Sequence, residues 1–322
     1  MTRVHVWGAS GYAAAEAVRL LHAHPYVEVG VLESRSHAGE AVTDHFPSLR
    51  CAPYRFAAAG AIADAVRPGD IVFAAGAPGE AFQIVPPLLA AGVRAIDLSS
   101  DYRFDRRAAY GLSEWHREAI AGAELVANPG CYPTAAALAL LPLGSVAGLQ
   151  AIAIDAKSGV SGAGRTPQLG TLFAEVSGDV RAYGLTGHRH QAEIERNLRA
   201  AGLDAPLTFT PHVVPIVRGM LVDAYAFFDA PVEPDEVAAL YEAAYAASPF
   251  VRMLAGQRAP SVLAVRGTND AELHVTARGR MVRAICAIDN LGKGAAGQAV
   301  QNLNLMLGFP EETGLGSRAA VA

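Results

Sequence analysis

The stretch VANPGCYPTAAALALLPL, residues 126–143, predicts the kind of unit from which this chain is built. It runs from the end of an apolar strand, through the turn Asn128-Pro129-Gly130, into a helix rich in alanine and leucine. Proline fixes one backbone angle of such a turn and glycine permits another. Cys131 stands at the helix start, where unpaired N–H groups and the helix dipole favour a thiolate. We interpret Cys131 as a nucleophile, although a free cysteine is more often a small buried hydrophobe.

Strands alternate with helices in the residues before this stretch. Each predicted strand is apolar and ends in a loop rich in glycine, serine or arginine, and helical patterns separate the strands. The main predicted strands cover residues 3–7, 27–32, 70–75 and 93–98. This alternation predicts an α/β fold with a parallel, doubly wound sheet of the Rossmann type, whose ligands bind at the carboxyl ends of the strands.

A glycine turn, Gly8-Ala9-Ser10-Gly11-Tyr12, follows the first predicted strand and opens the first predicted helix. Gly8 would let the chain turn, and Gly11 would let the backbone approach a pyrophosphate at the helix N-terminus. The third glycine of the usual dinucleotide pattern is missing. The motif alone is therefore a weak signal, and its position between strand and helix carries the prediction.

The end of the second predicted strand, Glu33-Ser34-Arg35-Ser36, is the place where a Rossmann unit binds the adenine ribose. An acidic residue there accepts a hydrogen bond from the 2′-hydroxyl of NAD, whereas arginine and serine accommodate the 2′-phosphate of NADP. Ser34 and Arg35 thus predict NADP, and Glu33 leaves NAD as the alternative.

Beyond residue 143 the pattern changes. Strands joined by short connections predict a second, α+β domain with a mainly antiparallel sheet. A Gly/Ser-rich segment, Ser158–Arg165, has too few side chains to pack, so we expect a loop that closes over a ligand. The predicted strands cover residues 151–157, 207–211, 213–217, 220–228, 261–266, 271–277 and 281–288.

A thiolate needs a base, and His188 and His190 are the two histidines in a glycine-flanked turn at a predicted helix start. Sequence spacing does not separate them as partners of Cys131, and a capping or surface pair is the structural alternative. The His-x-His pattern lacks a third ligand, so we assign no metal site.

Arginines in predicted loops are candidates for binding the anionic groups of a substrate, because the guanidinium group binds such anions in bidentate geometry. Four arginines lie in loops at the ends of predicted elements: Arg103, Arg165, Arg189 and Arg218.

The composition excludes several classes of function. The 322 residues, 52% hydrophobic and 18% charged, are sufficient for two packed domains. A net charge of −5 with scattered basic residues predicts no nucleic-acid partner, and no apolar run reaches the roughly 18 residues of a membrane span. The N-terminus has no signal-peptide core, and Cys51, Cys131 and Cys286 form no disulfide framework. We expect a cytoplasmic protein.

Six motifs, in order along nearly the whole chain, resemble those of the N-acetyl-gamma-glutamyl-phosphate reductase family of arginine biosynthesis. The motifs are GASGY, NPGCYPTA, SGVSGAGR, YxxxxHRHxxEIE, TPHxVPxxRG and DNLxKGAAGQAVQNLN. The family is related in fold to the aspartate-semialdehyde and glyceraldehyde-3-phosphate dehydrogenases. The resemblance implies NADPH-dependent reduction of a small acyl phosphate, N-acetyl-L-glutamyl 5-phosphate, to the 5-semialdehyde through a cysteine thioester. It also implies a homodimer or homotetramer.

The resemblance and the loop positions together give the expected domains and site residues. We expect an NADP-binding domain at residues 1–130 with 295–322, and a catalytic, substrate-binding and oligomerisation domain at residues 131–294. The expected catalytic residues are Cys131, His190, His188 and Glu193. The expected NADP(H)-binding residues are Gly8, Ser10, Gly11, Tyr12, Ser34, Arg35, Ser99, Gly162 and Asn290. The expected substrate-binding residues are Asn128, Arg103, Ser158, Arg165, Tyr183 and Arg218.

Two segments beside the predicted cofactor depart from the family pattern. The chain has GYAAAE at residues 11–16, where relatives often have GYTGAE, and GAPG at residues 76–79, where relatives have LPHG. The alternatives are a carrier-linked aminoadipyl-phosphate reductase of lysine biosynthesis, a non-catalytic NADP-binding sensor and a cysteine hydrolase. The segment NPGCYPTA argues against the first, and the poised cysteine with its histidines argues against the sensor. The dinucleotide motif would have no purpose in a hydrolase.

Overall fold

The computed structural model describes residues 1–50 and 53–316, so Cys51 lies outside the described residues. Contacts between residues group the described chain into two units, one of Met1–Pro129 with Ala295–Gly316 and one of Gly130–Gly294. Among the described residues, no helix combines the length and the apolar character that crossing a membrane requires.

The first unit contains a seven-stranded sheet in which every neighbouring pair is parallel. The strand order is β3-β2-β1-β4-β5-β7-β6, so the chain winds outward in both directions from β1. The strands are β1 (Thr2–Trp7), β2 (Val27–Glu33), β3 (Phe56–Ala57), β4 (Ile71–Ala74), β5 (Arg94–Asp97), β6 (Ala109–Tyr110) and β7 (Leu125–Ala127). The helices between them are α1 (Tyr12–His22), α2 (Val42–His45), α3 (Ala61–Ala65), α4 (Ala81–Ala90) and α5 (Ser113–Ala121).

The central strands of this sheet are apolar on both faces because helices cover both sides of a doubly wound sheet. All four residues of β4 are fully buried, and Val4 and Val6 of β1 are equally inaccessible. A glycine turn connects β1 to α1, as the sequence predicts. The predicted α/β class with a Rossmann-type sheet is confirmed.

The second unit contains a seven-stranded mixed sheet of order β12-β13-β14-β11-β8-β10-β9. The pairs β12/β13 and β8/β10 are parallel and the other four are antiparallel, which confirms the mainly antiparallel prediction. The strands are β8 (Leu149–Ser158), β9 (Arg181–Ala182), β10 (Leu207–Val213), β11 (Met220–Phe228), β12 (Val251–Met253), β13 (Ala271–Arg278) and β14 (Met281–Ile288). The helices are α6 (Cys131–Leu140), α7 (Phe173–Val176), α8 (Arg189–Ala200), α9 (Pro234–Tyr245) and α10 (Val262–Val265).

Helix α6 is the core helix of the second unit. Every residue from Tyr132 to Leu140 is buried, and the helix contacts α8, β11 and β14. Its last turn leaves carbonyl groups without helical partners, and two tyrosines of α9 satisfy two of them. The hydroxyl of Tyr241 donates to Ala139 O, and that of Tyr245 donates to Leu138 O at 2.5 Å.

A π-helical turn, Gly292–Ala296, leads into the last helix, α11 (Gly297–Leu307). Helix α11 belongs to the first unit and buries an unusual set of amide side chains, all fully covered: Gln298, Gln301, Asn302 and Asn304. Each is hydrogen-bonded, as buried polar groups must be.

Two of the predicted strands are wrong. Residues 214–217 are not a strand, because Pro215 has no N–H for a ladder and the neighbouring carbonyls of Ile216 and Val217 bond instead to the backbone of the Gly/Ser loop. Residues 262–265 form the short helix α10, which begins after Ser261. A short apolar run fits either type of element, and periodicity does not decide between them.

Candidate active site

Cys131 is the first residue of α6, with Gly130 at the N-cap position in an extended conformation. The cysteine is a thiol outside any disulfide and is of intermediate exposure. Thr134 bonds back to the helix start, because both its N–H and its hydroxyl donate to Gly130 O. The turn Asn128-Pro129-Gly130 therefore leads into a helix, as the sequence predicts, and the thiol of Cys131 lies at the N-terminus of that helix.

Glu193 lies behind this cysteine, almost fully buried on α8. Its Oε1 accepts a hydrogen bond of 3.0 Å from the N–H of Gly130, the residue before the thiol. A carboxylate at a helix N-terminus is stabilised by the helix dipole. In this geometry Glu193 fixes the backbone that carries Cys131.

Gly294, in the π-helical turn, allows a second backbone segment to lie against the thiol-bearing residue. A Cβ at position 294 would lie 2.8 Å from the Cβ of Cys131 and 3.2 Å from Asp289 O. No side chain fits at that separation, so the close approach requires glycine.

A cavity of about 520 Å³ in the second unit contains the cysteine and most of the predicted catalytic residues. Both histidines and part of the Gly/Ser loop line it. Of the residues predicted from the sequence, the cavity brings together Cys131, Ser158, Gly162, Tyr183, His188, Arg189 and His190. It also includes side chains that the sequence reasoning missed: Tyr132, Gln168, Thr171, Arg181 and Val213.

His188 is the N-cap of α8, and its Nδ1 accepts a hydrogen bond of 3.1 Å from the N–H of His190. Burial, together with the positive charge of Arg189, lowers the pKa of His188. The ring is therefore neutral at pH 7. Because Nδ1 is an acceptor, the proton of the neutral ring lies on Nε2.

Aromatic rings hold both imidazoles in place. The ring centroids of His188 and His190 are 5.0 Å apart, and that of Tyr132 lies 5.8 Å from His188 and 5.9 Å from His190. Phe209 and Tyr183 each lie 5.5 Å from His188. All five contacts are edge-to-face, the geometry that aromatic quadrupoles favour. The cavity thus has an apolar, well-packed wall around its two histidines.

Two tyrosines provide neutral hydroxyl groups at this wall. The hydroxyl of Tyr183 donates to that of Tyr132 at 3.2 Å, and Tyr132 donates to His212 O at 3.4 Å. Burial is the main cause that raises the pKa of both phenols above the usual value of 10.0. These groups remain protonated at pH 7, and so they donate and accept hydrogen bonds without acting as bases.

The arginines of the cavity are Arg181 and Arg189. Arg181 begins β9, where no glycine or motif in the sequence marks it as a ligand residue. Arg165 and Arg218 are not among the described residues that line the cavity. The guanidinium of Arg218 instead pairs with the buried carboxylate of Asp289 at 3.0 Å.

Asp289 and Asn290 hold the backbone around them. Asp289 also accepts from the N–H groups of Gly267, Leu291 and Gly292. The buried amide of Asn290 accepts from Gly219 N at 2.7 Å and donates to Ser161 Oγ at 2.9 Å. The predicted cofactor residue Asn290 therefore links the Gly/Ser loop to the start of β11.

Arg103 and Asn128 lie in the first unit and are both buried. Arg103 Nε donates to Asn128 O at 3.0 Å, and the side chain of Asn128 donates to Ala295 O. Asn302 of α11 donates to Asn128 Oδ1 at 3.1 Å. These bonds fix the turn that precedes Gly130.

The glycine turn of the first unit has the shape that a dinucleotide phosphate requires. Gly8 has a φ of +74°, and a Cβ there would lie 2.8 Å from Ala75. Gly11 is the N-cap of α1, and a Cβ on it would meet no heavy atom within 4 Å. The space before the N-terminus of α1, beside Ser10 and the partly exposed Tyr12, is open to an anion.

The segment after β2 favours NADP over NAD. Glu33 is buried, and its Oε2 accepts from the N–H of Ile62 at the start of α3, so its carboxylate already has a partner. The hydroxyl of buried Ser34 has no hydrogen-bond partner within the described structure. Arg35 is mostly exposed and pairs with Glu80.

Ser99 follows β5 at the same sheet edge. Its N–H donates to Asp97 Oδ1, and its hydroxyl accepts from the N–H of Asp101. The residues predicted to contact the nucleotide in this unit therefore all lie after the carboxyl ends of parallel strands.

Comparison with known proteins decides the family. Residues 3–123 match the profile of the semialdehyde dehydrogenase NAD binding domain, and residues 131–290 match that of the semialdehyde dehydrogenase dimerisation domain. The chain is 43% identical to the N-acetyl-gamma-glutamyl-phosphate reductase of Desulfotalea psychrophila over 98% of each chain. The identity and both coverages are the same for the Moorella thermoacetica protein of that name. The chain belongs to the N-acetyl-gamma-glutamyl-phosphate reductase family.

Membership of the reductase family confirms the resemblance that the six sequence motifs predict. Among solved structures, aspartate semialdehyde dehydrogenase II from Vibrio cholerae matches 95% of this chain and 98% of its own, with a TM-score of 0.76. At 18% identity that likeness shows the fold alone. Neither of the two named relatives carries the name of a carrier-linked reductase, which leaves the lysine-pathway alternative without support.

Proposed function

We propose that this protein catalyses the NADPH-dependent reduction of N-acetyl-L-glutamyl 5-phosphate to N-acetyl-L-glutamate 5-semialdehyde, with release of phosphate. The observation that supports this most strongly is the position of the Cys131 thiol at the N-terminus of α6, in one cavity with His188 and His190. The names of the relatives supply the substrate, and the reaction belongs to arginine biosynthesis.

In this proposal the thiolate of Cys131 attacks the acyl carbonyl. A carbon–sulfur bond forms, the bond to the phosphate oxygen breaks, and phosphate leaves with the electron pair. The N–H groups at the start of α6, at Cys131 and Tyr132, are placed to stabilise the oxyanion. NADPH, when bound, would supply the hydride for the thioester carbon. The carbon–sulfur bond then breaks, the aldehyde is released and Cys131 regains its thiolate.

In this proposal the two histidines take different roles. We assign His190 as the group that accepts the thiol proton. His188 uses Nδ1 as an acceptor and holds its proton on Nε2, so at pH 7 it is suited to donate a hydrogen bond to a substrate oxygen. Glu193 supports the nucleophile through Gly130 rather than by contact with the substrate.

The cationic groups of the cavity supply the charge that the substrate requires. N-acetyl-L-glutamyl 5-phosphate carries a carboxylate and a phosphate, and Arg181 and Arg189 line the cavity. We therefore transfer the substrate-binding role from Arg103 and Arg218, whose guanidinium groups bind protein oxygens, to these two arginines. Ser158 and Tyr183 keep the roles predicted from the sequence.

The residues of the first unit fit NADP(H). The open space at Gly11 and the N-terminus of α1 suit the pyrophosphate, and the buried hydroxyl of Ser34 with the arginine at position 35 suits a 2′-phosphate. The carboxylate of Glu33, which would favour NAD, is bonded to Ile62 N instead.

We also propose a cytoplasmic homo-oligomer. A thiol nucleophile is best maintained in a reducing compartment, and the second unit matches a dimerisation domain. One face of its sheet is only partly covered within the chain, and Tyr225 and Ile285 on neighbouring strands contribute apolar surface to that face.

The covalent mechanism predicts that Cys131→Ser loses about a thousandfold or more of its turnover, because a hydroxyl is a far weaker nucleophile than a thiolate. The measurement is phosphate-dependent oxidation of N-acetylglutamate semialdehyde with NADP. Cys286→Ala, at the buried second cysteine of the described chain, is the control and should keep wild-type turnover. Full turnover in Cys131→Ser would contradict the mechanism.

A further inference from the structure

Three potential metal ligands lie together in the polar segment that follows β2, apart from the cavity around Cys131. His37, Glu40 and His45 each offer one ligand atom, and these atoms lie within 4.8 Å of one another. The Nε2 of His45 is 2.5 Å, and the Nδ1 of His37 is 3.6 Å, from Oε2 of Glu40. We propose that these side chains form a binding site for a divalent transition-metal ion, with Zn²⁺ as the preferred ion.

The backbone that carries His37 and Glu40 is held by hydrogen bonds before any ion binds. The turn at Gly39, with a φ of +85°, is closed by a hydrogen bond from Glu40 N to His37 O. Two further bonds tie it to β3, from Gly39 N to Phe56 O at 2.7 Å and from Phe56 N to Glu40 O at 3.0 Å. The third ligand, His45, is the last residue of α2. A preorganised site loses less conformational entropy when it binds its ion.

The two imidazole rings are also held by packing. Their centroids are 3.9 Å apart, and both lie near the buried ring of Phe56, at 6.0 Å for His37 and 5.6 Å for His45. The side chain of Glu40 is half exposed. The site therefore has two fixed ligands on an apolar base and one adjustable ligand at the surface, where an ion can enter.

Two imidazoles and one carboxylate are a donor set that Zn²⁺ uses in proteins, with a water molecule in the fourth tetrahedral position. Ca²⁺ and Mg²⁺ require oxygen ligands, so this set disfavours them. Zn²⁺ bonds of about 2.0–2.2 Å place ligand atoms roughly 3.3 Å apart. The three ligand atoms already lie within 4.8 Å of one another, and a rotation of the half-exposed Glu40 side chain adjusts its distances to the two imidazoles.

Binding exchanges one interaction for another at His45. Its Nε2 is hydrogen-bonded to the Glu40 carboxylate. A neutral imidazole can hold its proton on Nδ1 instead, which frees the Nε2 lone pair for the ion. The ion then connects the segment 34–40 to α2.

The test is a titration of the full-length, untagged protein with ZnCl₂ by isothermal calorimetry. Wild type should bind one Zn²⁺ per chain at this site and gain thermal stability when zinc is present. His37→Ala, Glu40→Gln and His45→Ala should each weaken that binding by about tenfold or more. His274→Ala removes an exposed histidine from the second unit and is the matched control, with binding unchanged.

Co²⁺ separates this site from the thiol of Cys131. A cysteine ligand adds a sulfur-to-metal charge-transfer band, whereas a His/Glu set gives ligand-field bands only. Bands without the charge-transfer feature, lost in the three ligand variants, support the proposal. Zinc binding that the three variants leave unchanged, or that Cys131→Ser abolishes, overturns it, and so does the absence of binding to wild type. Circular dichroism confirms that each variant is folded.

Discussion

Glu193 is a motif residue whose carboxylate bonds to the backbone next to Cys131. Its carboxylate is almost fully buried and accepts from the N–H of Gly130, one residue before the thiol. Removing the acceptor leaves a buried N–H without this partner, which costs about 1–3 kcal/mol. The Glu193 side chain therefore stabilises the backbone that carries Cys131.

We accordingly predict that Glu193→Ala lowers the free energy of unfolding by about 1–3 kcal/mol and reduces kcat, because the start of α6 loses its anchor. Glu193→Gln keeps an oxygen acceptor and should retain most of kcat. Urea unfolding and steady-state kinetics measure both effects. If Glu193→Gln lost as much kcat as Glu193→Ala while remaining stable, the charge itself would be catalytic and the positioning role would be wrong.

At the same scale, the arginines mark a limit of sequence reasoning. Arg103 and Arg218 lie in loops at the ends of predicted elements, yet both guanidinium groups bind protein oxygens. Arg181 lines the cavity from a two-residue strand, and no sequence motif marks its position. Proximity to glycine identifies a loop, but the direction of a side chain depends on tertiary packing. Cys131 was easier to find, because proline, glycine and the helix start act locally.

Helix α6 carries Cys131, and its stability depends on elements far away in the chain. Its ten residues have no polar face, so packing on α8, β11 and β14 holds it in place. Tyr241 and Tyr245 of α9 complete its C-terminal turn by donating to two carbonyls. The sequence predicts α6 but not this contact, since nothing local connects residues separated by about a hundred positions.

Phenylalanine at either tyrosine position removes only the donor. We predict that Tyr241→Phe and Tyr245→Phe each lower the free energy of unfolding by about 1–2 kcal/mol, because a buried carbonyl loses its partner. The control, Tyr26→Phe, changes a half-exposed tyrosine of the first unit and should have little effect. Urea denaturation followed by circular dichroism compares the three. If all three variants had equal, negligible effects, the two hydroxyls would contribute nothing to the free energy of unfolding.

At the scale of the whole molecule, the alternation of apolar strands and helices was enough to predict the first sheet, because every strand of that sheet is parallel and its centre is buried on both faces. The second sheet was harder. Residues 214–217 and 262–265 have strand-like composition. The first segment, which contains Pro215, is not a strand, and the second forms a short helix after Ser261. Local sequence indicates which segments are apolar, and only the completed sheet determines which of them find a hydrogen-bonding partner.

The same packing makes the stability of the first unit depend on pH. His5 is fully buried between strands, with Nδ1 accepting from Val31 N and Nε2 bonded to Asp70. His24 is buried against α11, with Nδ1 accepting from Tyr26 N and Nε2 bonded to Asn304. Burial is the largest cause that lowers the pKa of both histidines below 6.5.

A histidine whose pKa is lowered on folding binds its proton more readily in the unfolded chain. Its contribution to stability is therefore complete above pH 6.5 and decreases as the pH falls through that value toward the folded pKa. We predict that the melting temperature of wild type falls in this acid range. His24→Gln, which keeps a polar side chain but does not titrate, should show a shallower fall, whereas His22→Gln, at the exposed neighbour, should match wild type. An identical pH slope in His24→Gln would exclude His24 as a source of the acid sensitivity and leave His5 as the buried histidine of the first unit that carries it.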